Sequence, residues 1–129
     1  MDEGDNVIIY ADATKGYENS EPEIIQGHMD MVCEKTPQCT KNMNIDGLSL
    51  CTDGEWLWAD GTTLGGDDGI ALAYMFALLD SDDIPHPPIE ADITRDEETG
   101  MDGAERFDAS FVKGKKLLNI DSEEEGILT

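Results

Sequence analysis

The stretch Ile24-Ile25-Gln26-Gly27-His28-Met29-Asp30-Met31-Val32-Cys33 decides how the rest of the chain is read. It is apolar enough for the centre of a sheet, where a strand is buried on both faces, and it predicts a strand over residues 24–33. Residues two apart on a strand point to one face, so His28 and Asp30 stand side by side on it. The carboxylate can then hold the ring tautomer while the other nitrogen faces a metal. By itself a His-x-Asp pair is weak evidence, because a histidine beside a strand is often only hydrogen-bonded.

Working outward, further strands are expected at Asp5-Asn6-Val7-Ile8-Ile9-Tyr10, at residues 89–94 and at residues 115–120. Leu48-Ser49-Leu50 and Glu55-Trp56-Leu57-Trp58 flank Asp53-Gly54, a two-residue hairpin signal. Trp56 and Trp58 alternate on that hairpin and read as packing or rim residues. Residues 34–44 are polar, hold Pro37 and read as an excursion. Asp67-Asp68-Gly69 opens a helix whose body, residues 70–79, is apolar on nearly every face, which predicts burial on more than one side. A short helix is expected over residues 101–107, and His86, set among Pro85, Pro87 and Pro88, reads as surface. Strands alternating with helices give an α/β fold, one mixed sheet with helices on both faces. Gly126-Ile127-Leu128-Thr129 reads as the start of another strand, so the expectation is a piece of something longer.

The chain has 129 residues, with 30 Asp and Glu against 8 Lys and Arg, a formal charge of −22. One domain fits that length. So negative a surface argues against nucleic acid and against anionic membranes as partners. No apolar run is long enough to span a bilayer, and Met1-Asp2-Glu3-Gly4-Asp5 is unlike a signal peptide, so a cytoplasmic location is expected. Disorder does not fit, since 39% of the residues are hydrophobic and they are clustered. Cys33, Cys39 and Cys51 match no zinc-knuckle spacing and read as reduced, packing thiols.

The acids fall where the strands end. The first strand runs into His28-Met29-Asp30, the 89–94 strand into Asp96-Glu97-Glu98, and the last into Asp121, while Asp67-Asp68 follows the turn Gly61-Thr62-Thr63-Leu64-Gly65-Gly66. Ligands of open α/β sheets collect at the carboxyl ends of strands, so these four clusters can converge. Each has a bland alternative. Asp67 or Asp68 can simply cap a helix, Asp96-Glu97-Glu98 can be a charged turn, and Ser122-Glu123-Glu124-Glu125 reads as a solvated run. Asp92 occupies a strand position where such sheets usually carry an apolar residue. A non-catalytic acidic metal-binding module is the competing class, although no EF-hand loop is present.

Together, Gly27-His28-Met29-Asp30-Met31-Val32, Asp60-Gly61-Thr62-Thr63-Leu64-Gly65-Gly66-Asp67-Asp68-Gly69, Asp96-Glu97-Glu98-Thr99-Gly100-Met101-Asp102-Gly103-Ala104 and Asn119-Ile120-Asp121-Ser122-Glu123-Glu124-Glu125-Gly126 resemble the co-catalytic zinc peptidases related to carboxypeptidase G and peptidase T. Within that family the likeness is to the aminoacyl-histidine dipeptidase group. The resemblance implies two Zn2+ ions (Co2+ or Mn2+ fit similar ligands). His28 and Asp121 would bind the first, Glu98 the second, and Asp67 would bridge both. It also implies that Asp30 orients His28 and that Glu97 is the general base for a water activated between the ions. The implied substrate is a dipeptide, Xaa-His included. A tripeptidase or an N-acyl-amino-acid hydrolase remains the alternative within the family. Residues 1–129 would then be part of a catalytic domain. A lid and dimerisation domain and a distal histidine ligand would lie elsewhere in a homodimeric full-length protein, and the piece alone would have little activity.

Overall fold

The computed structural model describes residues 1–122 and Gly126. Of the strand expected at Gly126-Ile127-Leu128-Thr129, residues 127–129 lie outside the described residues, as does the acidic run at 123–125. Among the described residues, six strands and a main helix follow in the order β1 (Val7–Ala11), β2 (Glu23–His28), β3 (Leu50–Thr52), β4 (Leu57–Ala59), α1 (Gly66–Leu79), β5 (Ile89–Thr94), α2 (Asp102–Glu105) and β6 (Lys116–Asn119), with a 3-10 turn, Ala109–Phe111, between the last two.

Four strands form one mixed sheet in the order β1-β5-β2-β6. Strand β1 runs antiparallel to β5, while β2 is parallel to both β5 and β6. The architecture is α/β, as expected. Strand β5 has a partner on each side, and all six of its residues are buried. Ala91 and Ile93 meet Ala71 and Met75 of α1, and Val7, Ile9, Ile25, Leu72, Leu79 and Ile120 close around them. Gly27 lets α1 come this near: a Cβ there would lie 2.5 Å from Asp68 Oδ2 and 2.9 Å from the Ala71 Cβ. Helix α2, with Phe107 and Val112, flanks a cavity on the other face of the sheet.

Five expectations need correcting. Strand β2 stops at His28, so Asp30 lies beyond the strand. The amide of Met29 makes the last rung, to the Thr94 carbonyl. After that both strands turn out of the sheet, and the apolar Met29 and Val32 are 41% and 46% exposed. The Asp53-Gly54 hairpin exists, but Thr52 pairs with Leu57, so its loop is residues 53–56; the Asp53 carboxylate accepts from the amides of Glu55 and Trp56. Helix α1 is covered on one side only, because one sheet face packs against it and leaves Ile70, Tyr74 and Phe76 exposed. His86 is buried rather than superficial; its amide donates to Thr14 Oγ1 and its carbonyl accepts from the Thr14 amide. The cysteines are free, as expected, but none is buried, so they do not pack the core.

Candidate metal centre

Because β2, β5 and β6 are parallel, their carboxyl ends share one edge of the sheet, and α1 begins at that same edge. The four clusters therefore meet. His28 Nε2 lies 3.0 Å from Asp67 Oδ1, 3.9 Å from Glu97 Oε2 and 3.9 Å from Asp121 Oδ1. Donor atoms of His28, Glu97 and Glu98 fall within 4.8 Å of one another, and so do those of His28, Asp68 and Asp121. A buried imidazole ringed by carboxylates suits zinc, cobalt or manganese. The donor set fits a divalent cation.

The imidazole is fixed from behind. Its Nδ1 faces the Asp30 carbonyl oxygen at 3.0 Å and the Asp30 carboxylate at 3.5 Å. The nearer contact is thus to the backbone of Asp30, and its side chain has a second task. The two carboxylate oxygens accept from the amides of Glu97 and Glu98, each at 3.1 Å. Asp30 therefore orients His28 and also ties down the loop that presents both glutamates. Sequence spacing could place Asp30 beside His28, but nothing in it showed bonds to residues 67 and 68 positions away.

Asp67 and Asp68 sit at non-helical backbone angles at the head of α1, joined by a cis peptide bond. Their environments differ sharply. The Asp67 side chain is 73% exposed and turned to the open cleft. Asp68 is buried, and its carboxylate accepts from the His28 amide at 3.2 Å and from the backbone of Ala71. That bond to the third residue onward is a helix cap, and burial pushes the Asp68 carboxyl above its usual value. Asp68 thus joins β2 to α1, a link the cap reading alone did not include. Asp121, burdened by burial and by the nearby charges of Asp68 and Asp67, is pushed up to about 6. Burial pulls the His28 pKa down, yet the bond to Asp67 and the charges of Asp121 and Asp30 more than offset this, leaving it raised. Crowded acids of this kind lower their mutual repulsion by taking up a proton or a cation. Asp67, Asp68 and Asp121 line one cleft of about 340 Å³ together with Gly66, Ile70 and Ile120.

Another residue the sequence reading passed over is Asn6. It is fully buried where antiparallel β1 enters at this edge. Its Oδ1 accepts from the Arg95 amide and its Nδ2 donates to the Gly103 carbonyl, so one side chain clamps both ends of the 95–103 loop. A short polar residue before an apolar strand carries no signal of that role.

The chain is 41% identical over 125 residues to the cytosol non-specific dipeptidase of Escherichia coli, a match spanning 97% of the chain and 26% of that protein. It superimposes on an aminoacylhistidine dipeptidase from Vibrio alginolyticus with a TM-score of 0.93 at 45% identity, covering 98% of this chain and 26% of the other. The chain is homologous to one segment of these dipeptidases. It spans about a quarter of their length. An aminopeptidase PepT from Bacillus cereus is more distant, with a TM-score of 0.71 and 31% identity over 92% of this chain. No family model matches. The dipeptidase homologues and PepT are named as hydrolases of peptide bonds, and the mixed sheet is that of their peptidase domains.

Proposed function

We propose that this chain forms the metal-holding part of a zinc-dependent, cytoplasmic dipeptidase that cleaves dipeptides, Xaa-His among them. The observation that carries the reading is the meeting of four sequence-distant clusters around His28 Nε2. His28, Asp67 and Asp121 would hold one ion, and Asp67 with Glu98 a second. When bound, the pair would polarise the scissile carbonyl and make the attacking water acidic. Glu97 takes the proton of that water on its carboxylate and returns it to the departing amine. Its side chain is 30% exposed and 3.9 Å from His28 Nε2, so it reaches the imidazole while remaining partly desolvated. Asp30 keeps Glu97 and Glu98 in register through the two amide bonds. The closer likeness to dipeptidases than to a tripeptidase from Staphylococcus aureus, 25% identical with a TM-score of 0.71, favours dipeptides over tripeptides. An acidic calcium module is disfavoured, since a calcium site uses oxygen ligands and has no use for a buried central imidazole. In the full-length protein we expect a homodimer, with a distal histidine completing the second ion's shell.

Zinc sites need three or more protein ligands, and among the described residues only the first proposed ion would have them. The 129-residue chain should therefore bind one zinc weakly and turn over little or no dipeptide. Zinc titration followed by an assay on an Xaa-His dipeptide tests this. Zinc binding that His28→Ala removes, and negligible hydrolysis, are the expected results. Unchanged binding in His28→Ala, or turnover at ordinary enzyme rates, would contradict it.

A further inference from the structure

We propose that Glu90 and Asp92 hold a single proton between them on the sheet face turned away from α1, and that this shared proton latches the segment leading into β6. The two acids are two apart on β5, hence on one face, and only 1% and 4% exposed. Glu90 Oε2 accepts from the amides of Lys113 and Gly114 at 2.8 and 3.1 Å. Glu90 Oε1 and Asp92 Oδ1 are buried and find no donor. Yet the two carboxyl groups lie within hydrogen-bonding reach of each other. Two ionised carboxylates cannot donate to each other, whereas one proton makes one of them a donor to the other.

The surroundings supply no other partner among the described residues. From β2 the neighbours are the neutral Ile24 and Gln26, and from the N-terminal turn Asp2 adds a further negative charge. Tyr10 stands opposite Glu90 on β1; burial and then the charges of Glu90 and Asp92 raise its phenol. The Lys113 ammonium lies over the Tyr10 ring, 3.4 Å from its centroid, and makes no ion pair with either acid. Asp92 floors an apolar cavity of about 400 Å³ among Ile24, Met101, Phe107, Val112 and Leu117, which also includes Glu97 and Asp121. Burial first, then the charge and hydrogen bond of Glu90 and the charge of Asp2, push Asp92 from 3.8 up to about 7.

A carboxyl raised in the folded state contributes stability that is complete below its unfolded value, near 4, and is lost as pH rises through about 7. With the proton gone, two buried charges repel, and that repulsion pushes on the Glu90 carboxylate that accepts from the Lys113 and Gly114 amides. Asp92→Asn supplies a permanent N–H toward the Glu90 carboxylate and needs no proton.

The test follows thermal unfolding of the 129-residue chain and of Asp92→Asn from pH 4 to 8.5, together with the backbone amide resonances of Lys113 and Gly114. In the parent these two amides should titrate with a midpoint near 7, and in Asp92→Asn they should not. The Tm advantage of the variant should grow with pH, reaching roughly 5 °C or more at pH 8. If the variant fails to fold, the parent's amides decide alone. Amides silent between pH 6 and 8 would overturn the latch, as would a variant that tracks the parent at every pH.

Discussion

Asp30 shows what a single side chain contributes here. Its position two residues after His28 was legible, and so was its partnership with the ring. Its larger task, accepting from the amides of Glu97 and Glu98, depends on the parallel pairing of β2 and β5, which no local pattern encodes. Charge-assisted bonds of this kind contribute about 1.5–3 kcal/mol each. Asp30→Ala should therefore cost roughly 3 kcal/mol in urea unfolding. It should also weaken zinc retention, though Asp30 is not among the proposed ligands, because the glutamate loop is released. Unchanged unfolding with intact zinc binding would contradict that role. Asp67 and Asp68 make the complementary point: adjacent and chemically identical, they divide into an exposed cleft residue and a buried cap only through the packing of α1 on Gly27.

Among elements, β5 was read with correct ends, since its alternation of Ile89, Ala91 and Ile93 is bounded by prolines before and acids after. Strand β2 was read too long because Met29, Met31 and Val32 extend the apolar run past the point where β5 stops offering a partner. Length of an apolar run is a local property, but strand length is a shared one. For α1, sequence gave its apolar body but not how many neighbours it would have, and Ile70, Tyr74 and Phe76 are left exposed. Two substitutions probe the contact that brings α1 to the site. Gly27→Ala places a Cβ 2.5 Å from Asp68 Oδ2 and should destabilise by about 1–3 kcal/mol, with lower zinc affinity as α1 is pushed outward. Met75→Ala empties a fully buried position and should cost about 2–5 kcal/mol while leaving the ligands themselves intact. Chemical unfolding with parallel zinc titration distinguishes the two, because only the first strains a residue bonded to His28.

At the scale of the whole molecule, a net charge of −22 on 129 residues makes the chain repel itself. Salt screens such repulsion, so the Tm without metal should rise by a few degrees between low and roughly 0.5 M sodium chloride; a fall would mean that the few ion pairs, such as Arg95 with Asp5, outweigh the repulsion. The site concentrates this same charge around one imidazole, which is why a divalent cation is the natural occupant. The most direct test is zinc-edge X-ray absorption on the zinc-loaded chain. A first shell of nitrogen and oxygen near 2.0–2.1 Å, with an imidazole signature that disappears in His28→Ala, is the result expected. A sulfur shell near 2.3 Å would place the metal on Cys33, Cys39 or Cys51 and contradict the account.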